Sequence, residues 1–300
     1  YAWSNSATTA SITGLSAGTY TVTVTDVNNC INTSSVTITE PTVLSATAST
    51  TQNVTIFGNT DGSASVTVSG GTPIYNFAWS NGRTTSTITN LTAGTYTVTI
   101  TDAIGCTATS QTIVSEPNAI TLSMRLDSNV TCNGLSNGGA GVSISGGVKP
   151  YTLLWSNSLT DSTIAGLSAG TYAVTVTDVN GGAATADTTI IQPAVLAAAT
   201  TVINNASCAA VNDGTANATA SGGTPPYSFA WSTSANTNGI SALFVGTYTV
   251  TVTDGNNCTA VSSVAILNND TVAPVISTSP LTVYLDVNGV ASITAADLDN

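Results

Sequence analysis

The sequence contains no histidine, and lysine occurs once, at Lys149. The first absence removes Ser-His-Asp and Cys-His nucleophile systems and every His-ligated zinc site. The second leaves phosphate loops and Schiff-base chemistry without support. Arg83 and Arg125 are the only other bases against 15 acidic residues, so the 300-residue chain has a formal net charge of −12. Such a balance releases no counterions from phosphates, which argues against nucleic acid and acidic membrane surfaces as partners. Hydrophobic residues reach 42%, yet they alternate with Thr and Ser, and no run approaches the roughly 20 apolar residues of a membrane span. Only 6% of residues are charged, a composition that would suit disorder were the apolar positions not so strictly alternating. The near-absence of lysine also suits a protein exposed to extracellular proteases. No enzyme is expected here.

What the sequence does contain is a period. Trp3, Trp79, Trp155 and Trp231 fall 76 residues apart, and so do Tyr20, Tyr96, Tyr172 and Tyr248, and Asp26, Asp102, Asp178 and Asp254. A fixed period describes an array of one unit, and it overrides the prior of one domain per ~150 residues. Tyr1 aligns with Phe77 and Phe229, which gives a partial module at 1–41, whole modules at 42–117, 118–193 and 194–269, and a different segment at 270–300. With no leader-like segment and a start in mid-unit, the sequence reads as a window on a longer protein.

In the third unit, residues 119–126, 141–145, 151–155, 162–164, 172–177 and 184–191 have strand character, punctuated by Gly146-Gly147, Ser156-Asn157 and Asp178-Val179-Asn180-Gly181. Six or seven short strands with turns every ~8–12 residues predict an all-β fold. The expected architecture is a tandem array of immunoglobulin-like antiparallel β-sandwich modules. In GTYTVTVTD (18–26), Tyr20, Val22 and Val24 share one face and Thr21, Thr23 and Thr25 the other, so one face is buried and one is wet. The Leu-x-x-Gly-x-Tyr run before this strand resembles a tyrosine corner, and Trp155 stands where such sandwiches carry a core tryptophan. The repeated Trp and Tyr residues are therefore assigned to the core; a carbohydrate-stacking platform is the alternative. The glycine pairs at 70–71, 146–147 and 222–223 precede strands rather than helices, so they read as tight turns and not phosphate cradles.

Asp26-Val27-Asn28, Asp178-Val179-Asn180 and Asp254-Gly255-Asn256 set two oxygen-bearing side chains two residues apart. That spacing suits calcium, but it equally suits a turn in which the side chains bond backbone N–H groups. The second unit, with Asp102-Ala103-Ile104, keeps the repeat while losing one candidate ligand, which favours the turn and leaves Asp178, Asn180, Asp254 and Asn256 as secondary calcium candidates. Asp286, Asp297 and Asp299 form another acidic group.

Five cysteines occupy two repeat positions. Cys30, Cys106 and Cys258 follow the Tyr strand, where the third unit has Gly182; Cys132 and Cys208 follow the first strand, where the second unit has Ile56. The spacing allows Cys208–Cys258 within a unit, Cys106–Cys132 across one boundary, or Cys132–Cys258 from an early turn to the late turn of the next unit. The third pairing is preferred, because the two turns should lie at opposite ends of a sandwich. It also makes Ile56 and Gly182 the two halves of one missing bridge. The other cysteines then have partners outside the sequence. Buried free thiols are the competing reading. Disulfides would imply an oxidising, extracellular setting.

Asp213-Gly214 after the early cysteine, GGTPPYSFAWS (222–232), LFVGTYTVTVTDGNNC (243–258) and the closing Glu-Pro at 40–41 and 116–117 together closely resemble the SprB repeat, over about residues 1–269. The resemblance implies a long filament on the surface of a Bacteroidetes cell, exported by the type IX system, as in the gliding-motility adhesin. Residues 270–300 are similar to the start of an HYR-type β-sandwich module. Asp-Ser/Thr motifs of the kind glycosylated in those bacteria make Ser162, Thr188 and Thr271 candidate O-glycosylation sites. The expected function is the structural stalk of a secreted cell-surface adhesin. Expected partners are neighbouring modules of the same chain, and surface polysaccharide or other cell-surface proteins; no cofactor is expected beyond the calcium candidates. The alternatives are a carbohydrate-binding array or the spacer of a larger surface enzyme.

Trypsin has only Arg83, Arg125 and Lys149 to attack, and Lys149 precedes Pro150. We expect the folded chain to resist trypsin for hours under conditions that nick its loops with other proteases. Rapid cleavage at Arg125, read by mass spectrometry, would show that the start of the third unit is not a strand.

Overall fold

A computed structural model describes residues 1–270, 272, 282–285, 287–291 and 293. Thr271, Asp286, Asp297, Asp299 and most of the expected HYR-type segment lie outside the described residues. The described elements are all strands, arranged as seven three-stranded sheets. The first repeat contributes β1 (Ala2–Trp3), β2 (Gly18–Thr25) and β3 (Ile31–Ile38). The second contributes β4 (Ser45–Gln52), β5 (Gly62–Ser69), β6 (Asn76–Trp79), β7 (Thr87–Leu91), β8 (Gly94–Thr101) and β9 (Thr107–Val114). The third has β10 (Thr121–Ser128), β11 (Gly138–Ser145), β12 (Tyr151–Trp155), β13 (Thr163–Leu167), β14 (Gly170–Asp178) and β15 (Ala183–Ile190). The fourth has β16 (Ala197–Asn204), β17 (Gly214–Ser221), β18 (Ser228–Trp231), β19 (Gly239–Leu243), β20 (Gly246–Thr253) and β21 (Thr259–Ile266). Each whole repeat thus has six strands. Two compact units share them: Tyr1–Ser123 with Ile144–Leu154 and Val174–Ala186, and Met124–Ser143 with Trp155–Ala173 and Asp187–Asn300. The third repeat supplies residues to both.

In the first unit, the second repeat shows the sandwich in full. Sheet β4-β5-β7 faces sheet β6-β8-β9 across Val54, Ala64, Val66, Trp79, Ile88, Leu91, Val98, Ile100 and Val114. This is the immunoglobulin arrangement, strands A, B and E against C, F and G, with strand D left out. The alternation in β8 decides which side chains go inward: Val98 and Ile100 are fully buried while Thr95 and Thr97 are exposed. Tyr96 opens that strand half-buried, and its hydroxyl donates to the Thr92 carbonyl at 3.0 Å, a tyrosine corner. Trp79 lies on strand C, and its Nε1 donates to the Thr85 carbonyl at 2.9 Å.

Strands β4 and β9 close one side of the sandwich. The Ala48 amide donates to Ser110 Oγ at 2.9 Å, the Thr50 and Thr112 hydroxyls meet at 2.9 Å, and the Ser115 amide donates to Asn53 Oδ1 at 3.0 Å. Both residue numbers rise together in these bonds, so the two strands run parallel. The turn after β4 and the turn before β9 therefore sit at opposite ends of the repeat.

The fourth repeat, in the second unit, repeats the plan. Sheets β16-β17-β19 and β18-β20-β21 enclose Trp231, Ile240, Leu243, Val250, Val252, Val264 and Ile266 with smaller residues. Thr200 meets Ser262 at 3.0 Å, and the Leu267 amide donates to Asn205 Oδ1 at 3.0 Å, which sets the same parallel edge.

Of the aromatic series, Trp79, Trp155 and Trp231 are 2–4% exposed. Tyr20, Tyr96, Tyr172 and Tyr248 are half-buried, as is Trp3 in the partial repeat. The tyrosines cap one end of each core, because the phenol must reach a carbonyl four residues back. The first strand of the third repeat begins at Thr121 rather than at 119. Asn118 instead gives its carbonyl to the amide of Gly147, at 2.8 Å.

These glycine pairs are conformationally required. Gly70 has φ +69°, and a Cβ there would stand 2.1 Å from the Val43 carbonyl oxygen. Gly58 in the same repeat has φ +77° but nothing within 4 Å of a Cβ. We expect Gly58→Ala to cost about 1–2 kcal/mol of left-handed backbone strain. Gly70→Ala should cost clearly more, because the backbone at Val43, leading into β4, must also move. Calorimetric Tm values for the two variants check this; equal losses would mean that the close approach at Gly70 carries no weight.

Candidate functional site: the inter-repeat junction

An aspartate ends each Tyr strand, and among the described residues Asp102, Asp178 and Asp254 are the buried charged ones, at 3%, 6% and 4% exposure. Each carboxylate joins two turns. Oδ1 of Asp102 accepts the amides of Ile104 (3.1 Å) and Cys106 (2.8 Å), and Oδ2 accepts the amide of Thr72 (2.9 Å), just past the glycine pair. Asp178 does the same with Asn180 (3.0 Å), Gly182 (2.8 Å) and Val148 (3.0 Å). Asp254 holds Asn256 (2.9 Å), Cys258 (2.9 Å) and Thr224 (2.8 Å). The Thr72 and Val148 amides are the main reason that Asp102 and Asp178 stay below the ordinary value of 3.8. At Asp254 burial pushes upward most strongly, yet the amides of Thr224, Cys258 and Asn256 together outweigh it and its pKa is lowered too.

The asparagine two residues on points elsewhere. In the first unit, Asn180 Nδ2 donates to the Thr55 carbonyl at 2.8 Å, reaching from the third repeat to the second. In the second unit, Asn256 Nδ2 donates to the Thr131 carbonyl at 3.0 Å and to Thr224 Oγ1 at 3.1 Å. Thr55 and Thr131 are equivalent residues, so one cross-repeat hydrogen bond occurs once in each unit. The four calcium candidates are thus engaged with backbone amides and carbonyls. Among the described residues no three His, Cys, Asp or Glu side chains are grouped to hold a metal ion.

The early turn that receives the asparagine is shaped by its own side chains. The Thr55, Thr131 and Ser207 amides donate to Asp61 (3.1 Å), Asn137 (3.1 Å) and Asp213 (2.8 Å). The Gly58 amide donates to Glu116 at 2.7 Å and the Gly134 amide to Gln192 at 2.8 Å. The Asp-Gly and closing Glu-Pro landmarks are therefore clasps on the early turn.

The cysteines and their replacements lie at this junction. Cys132 of the third repeat and Cys258 of the fourth form a disulfide with Cα atoms 5.8 Å apart, inside the second unit. In the first unit the equivalent residues also meet: a Cβ on Gly182 would stand 3.1 Å from Ile56 Cγ2. The isoleucine fills the space that a second cysteine would need. Cys30 and Cys106 are free and exposed, and Cys208 is free and half-buried.

Of the glycosylation candidates, Ser162 is exposed, whereas Thr188 is half-buried on the row of β15 that ends in buried Ile190. The cross-repeat reach of Asn180 and Asn256 was not anticipated. Its only sequence signal is the recurrence of Asn at 28, 180 and 256, with Ile104 as the exception.

Residues 48–84, 128–160 and 200–236 match the family profile of the SprB repeat, each from within a repeat's first strand to its Trp or just beyond. One SprB-repeat segment is thus detected in each of the second, third and fourth repeats. No curated protein sequence matches the chain. Among solved structures, the three N-terminal domains of the bacteriophage RB49 outer capsid protein Hoc align at 13% identity and TM-score 0.39, covering 74% of this chain and 97% of that one. A tetra-tandem repeat from the extending region of a large adhesion protein aligns at 16% identity and TM-score 0.32, covering 85% and 83%.

The lowered carboxylate values carry a pH consequence. A group with a depressed folded-state pKa contributes stability that is complete above its unfolded value and is lost as pH falls through the folded one. We expect urea midpoints to be level down to about pH 5 and to fall below about pH 4. Replacing Asp102, Asp178 and Asp254 together by Asn should lower the midpoint at pH 7 and flatten the acid limb. An unchanged acid limb in that variant would remove these carboxylates as its source.

Proposed function

We propose that this chain is a non-enzymatic stalk segment of an extracellular cell-surface adhesin, one that holds adhesive parts away from the cell and serves attachment or gliding. The observation that carries this reading is the junction. The same early-turn to late-turn contact recurs in both units and is covalent in one; it joins one repeat to another. The SprB repeats support the cell-surface setting. The carbohydrate-array alternative needs an exposed aromatic in each repeat. The whole-repeat tryptophans are buried, and exposed Phe57 and Phe244 have no aromatic at the equivalent positions Asn133 and Ser168.

The test is made on cells that express the full-length protein. Antibody against residues 42–269 should label intact, unpermeabilised cells, and deleting whole repeats in frame should weaken attachment to glass or slow gliding while surface labelling of the remainder persists. Labelling only after permeabilisation would overturn the surface assignment. Undiminished attachment and gliding after repeat deletion would overturn the stalk role.

A further inference from the structure

Cys132 follows β10, the first strand of the third repeat, and Cys258 precedes β21, the last strand of the fourth. Strands β11 to β20 therefore lie inside a covalent loop with a sequence separation of 126. Tension applied to the ends of a chain runs along the shortest covalent path. Here that path reaches Cys132, crosses the two sulfurs to Cys258, and leaves along β21.

We infer that the Cys132–Cys258 bridge is a load bypass: it withholds the residues between its ends from tension, and reducing it returns them as extensible length. Folded or unfolded, the bypassed segment spans only the 5.8 Å between the two Cα atoms while the bridge is intact. The second repeat has no such protection. Its equivalent positions are Ile56 and Gly182, which cannot form a disulfide; a Cβ added at Gly182 would stand 3.1 Å from Ile56 Cγ2, and the Asn180–Thr55 hydrogen bond links the two repeats beside them. The chain thus places an unprotected repeat in series with a protected pair. The second repeat yields under load, and β11 to β20 of the third and fourth are a reserve gated by thiol–disulfide exchange. In that exchange a thiolate from a small dithiol attacks one sulfur and forms a mixed disulfide, and the other cysteine leaves as a thiolate. The second thiol of the reagent then displaces the remaining cysteine, so the bridge is reduced and the dithiol oxidised.

The biological meaning rests on the stalk reading, since only a tethered chain bears tension, but the mechanical property is measurable on the isolated chain. Single molecules of the whole chain, held by their two ends, are stretched with and without dithiothreitol. With a separation of 126 residues and at most about 3.3–3.6 Å per extended residue, reduction should add roughly 440 Å to the fully extended length. The double variant Cys132→Ser, Cys258→Ser should show the longer length without reductant. Adding Ile56→Cys and Gly182→Cys to that variant should hide an equal length again under oxidising conditions. An oxidised native chain that already extends fully, or a reduced one that gains nothing, overturns the inference. Absence of the protein from the cell surface would instead remove the stalk reading and leave this length change standing.

Discussion

The junction depends on one arrangement, a buried carboxylate at the end of each Tyr strand that is neutralised by backbone amides rather than by a cation. Three bases cannot pair 15 acids, and Arg125 is taken by Asp127, so the dehydration of Asp102, Asp178 and Asp254 is offset by N–H donors. Two come from the aspartate's own turn and one from the glycine-pair turn, where the chain crosses from one sheet to the other. That convergence explains features that otherwise look unrelated. The glycine pair must adopt φ near +60° to +75° to bring the third amide round. The cysteine or Gly182 must sit four residues after the aspartate to supply the second. The asparagine in between is then held with its amide facing outward, in position to reach another repeat.

Most of the repeat is legible in the sequence, because its information is local and occurs up to four times. Alternation in GTYTVTIT and GTYTVTVT assigns the faces of β8 and β20, whereas the same pattern in β2 of the partial repeat leaves Val22 half-buried and Val24 exposed; the Leu-x-x-Gly-x-Tyr run marks the corner before all three. What periodicity does not resolve is where an element ends and what lies beyond it. Residues 119 and 120 alternate like a strand, but the glycine-pair turn claims the chain there first. Thr188 sits in a motif that reads as surface, yet parity within β15 turns its side chain toward the core row. The tyrosines share a parity with buried valines, but a phenol that must meet a carbonyl four residues back cannot also sit at the centre of the core.

The junction was legible only in part, because it is non-local. Its covalent half could be found by comparing repeats, since Ile56 and Gly182 depart from the pattern at positions separated, like Cys132 and Cys258, by 126 residues. Its hydrogen-bonded half could not. An asparagine two residues after an aspartate satisfies the rules for a turn, and those rules say nothing about where its second amide proton goes.

The two junctions in the chain also show what the disulfide does and does not do. The Asn180–Thr55 and Asn256–Thr131 hydrogen bonds are alike at 2.8 and 3.0 Å, although only the second has a bridge beside it. The bridge is therefore not needed to set the register between repeats; that is accomplished by the carboxylate, the asparagine and the clasped early turn. Closing a long loop stabilises a disordered chain by about 4–5 kcal/mol, but repeats that fold as separate sandwiches have already lost most of that freedom. What remains to the bridge is topology. A hydrogen bond resists separation until it breaks, whereas a disulfide changes which residues are in the line of force.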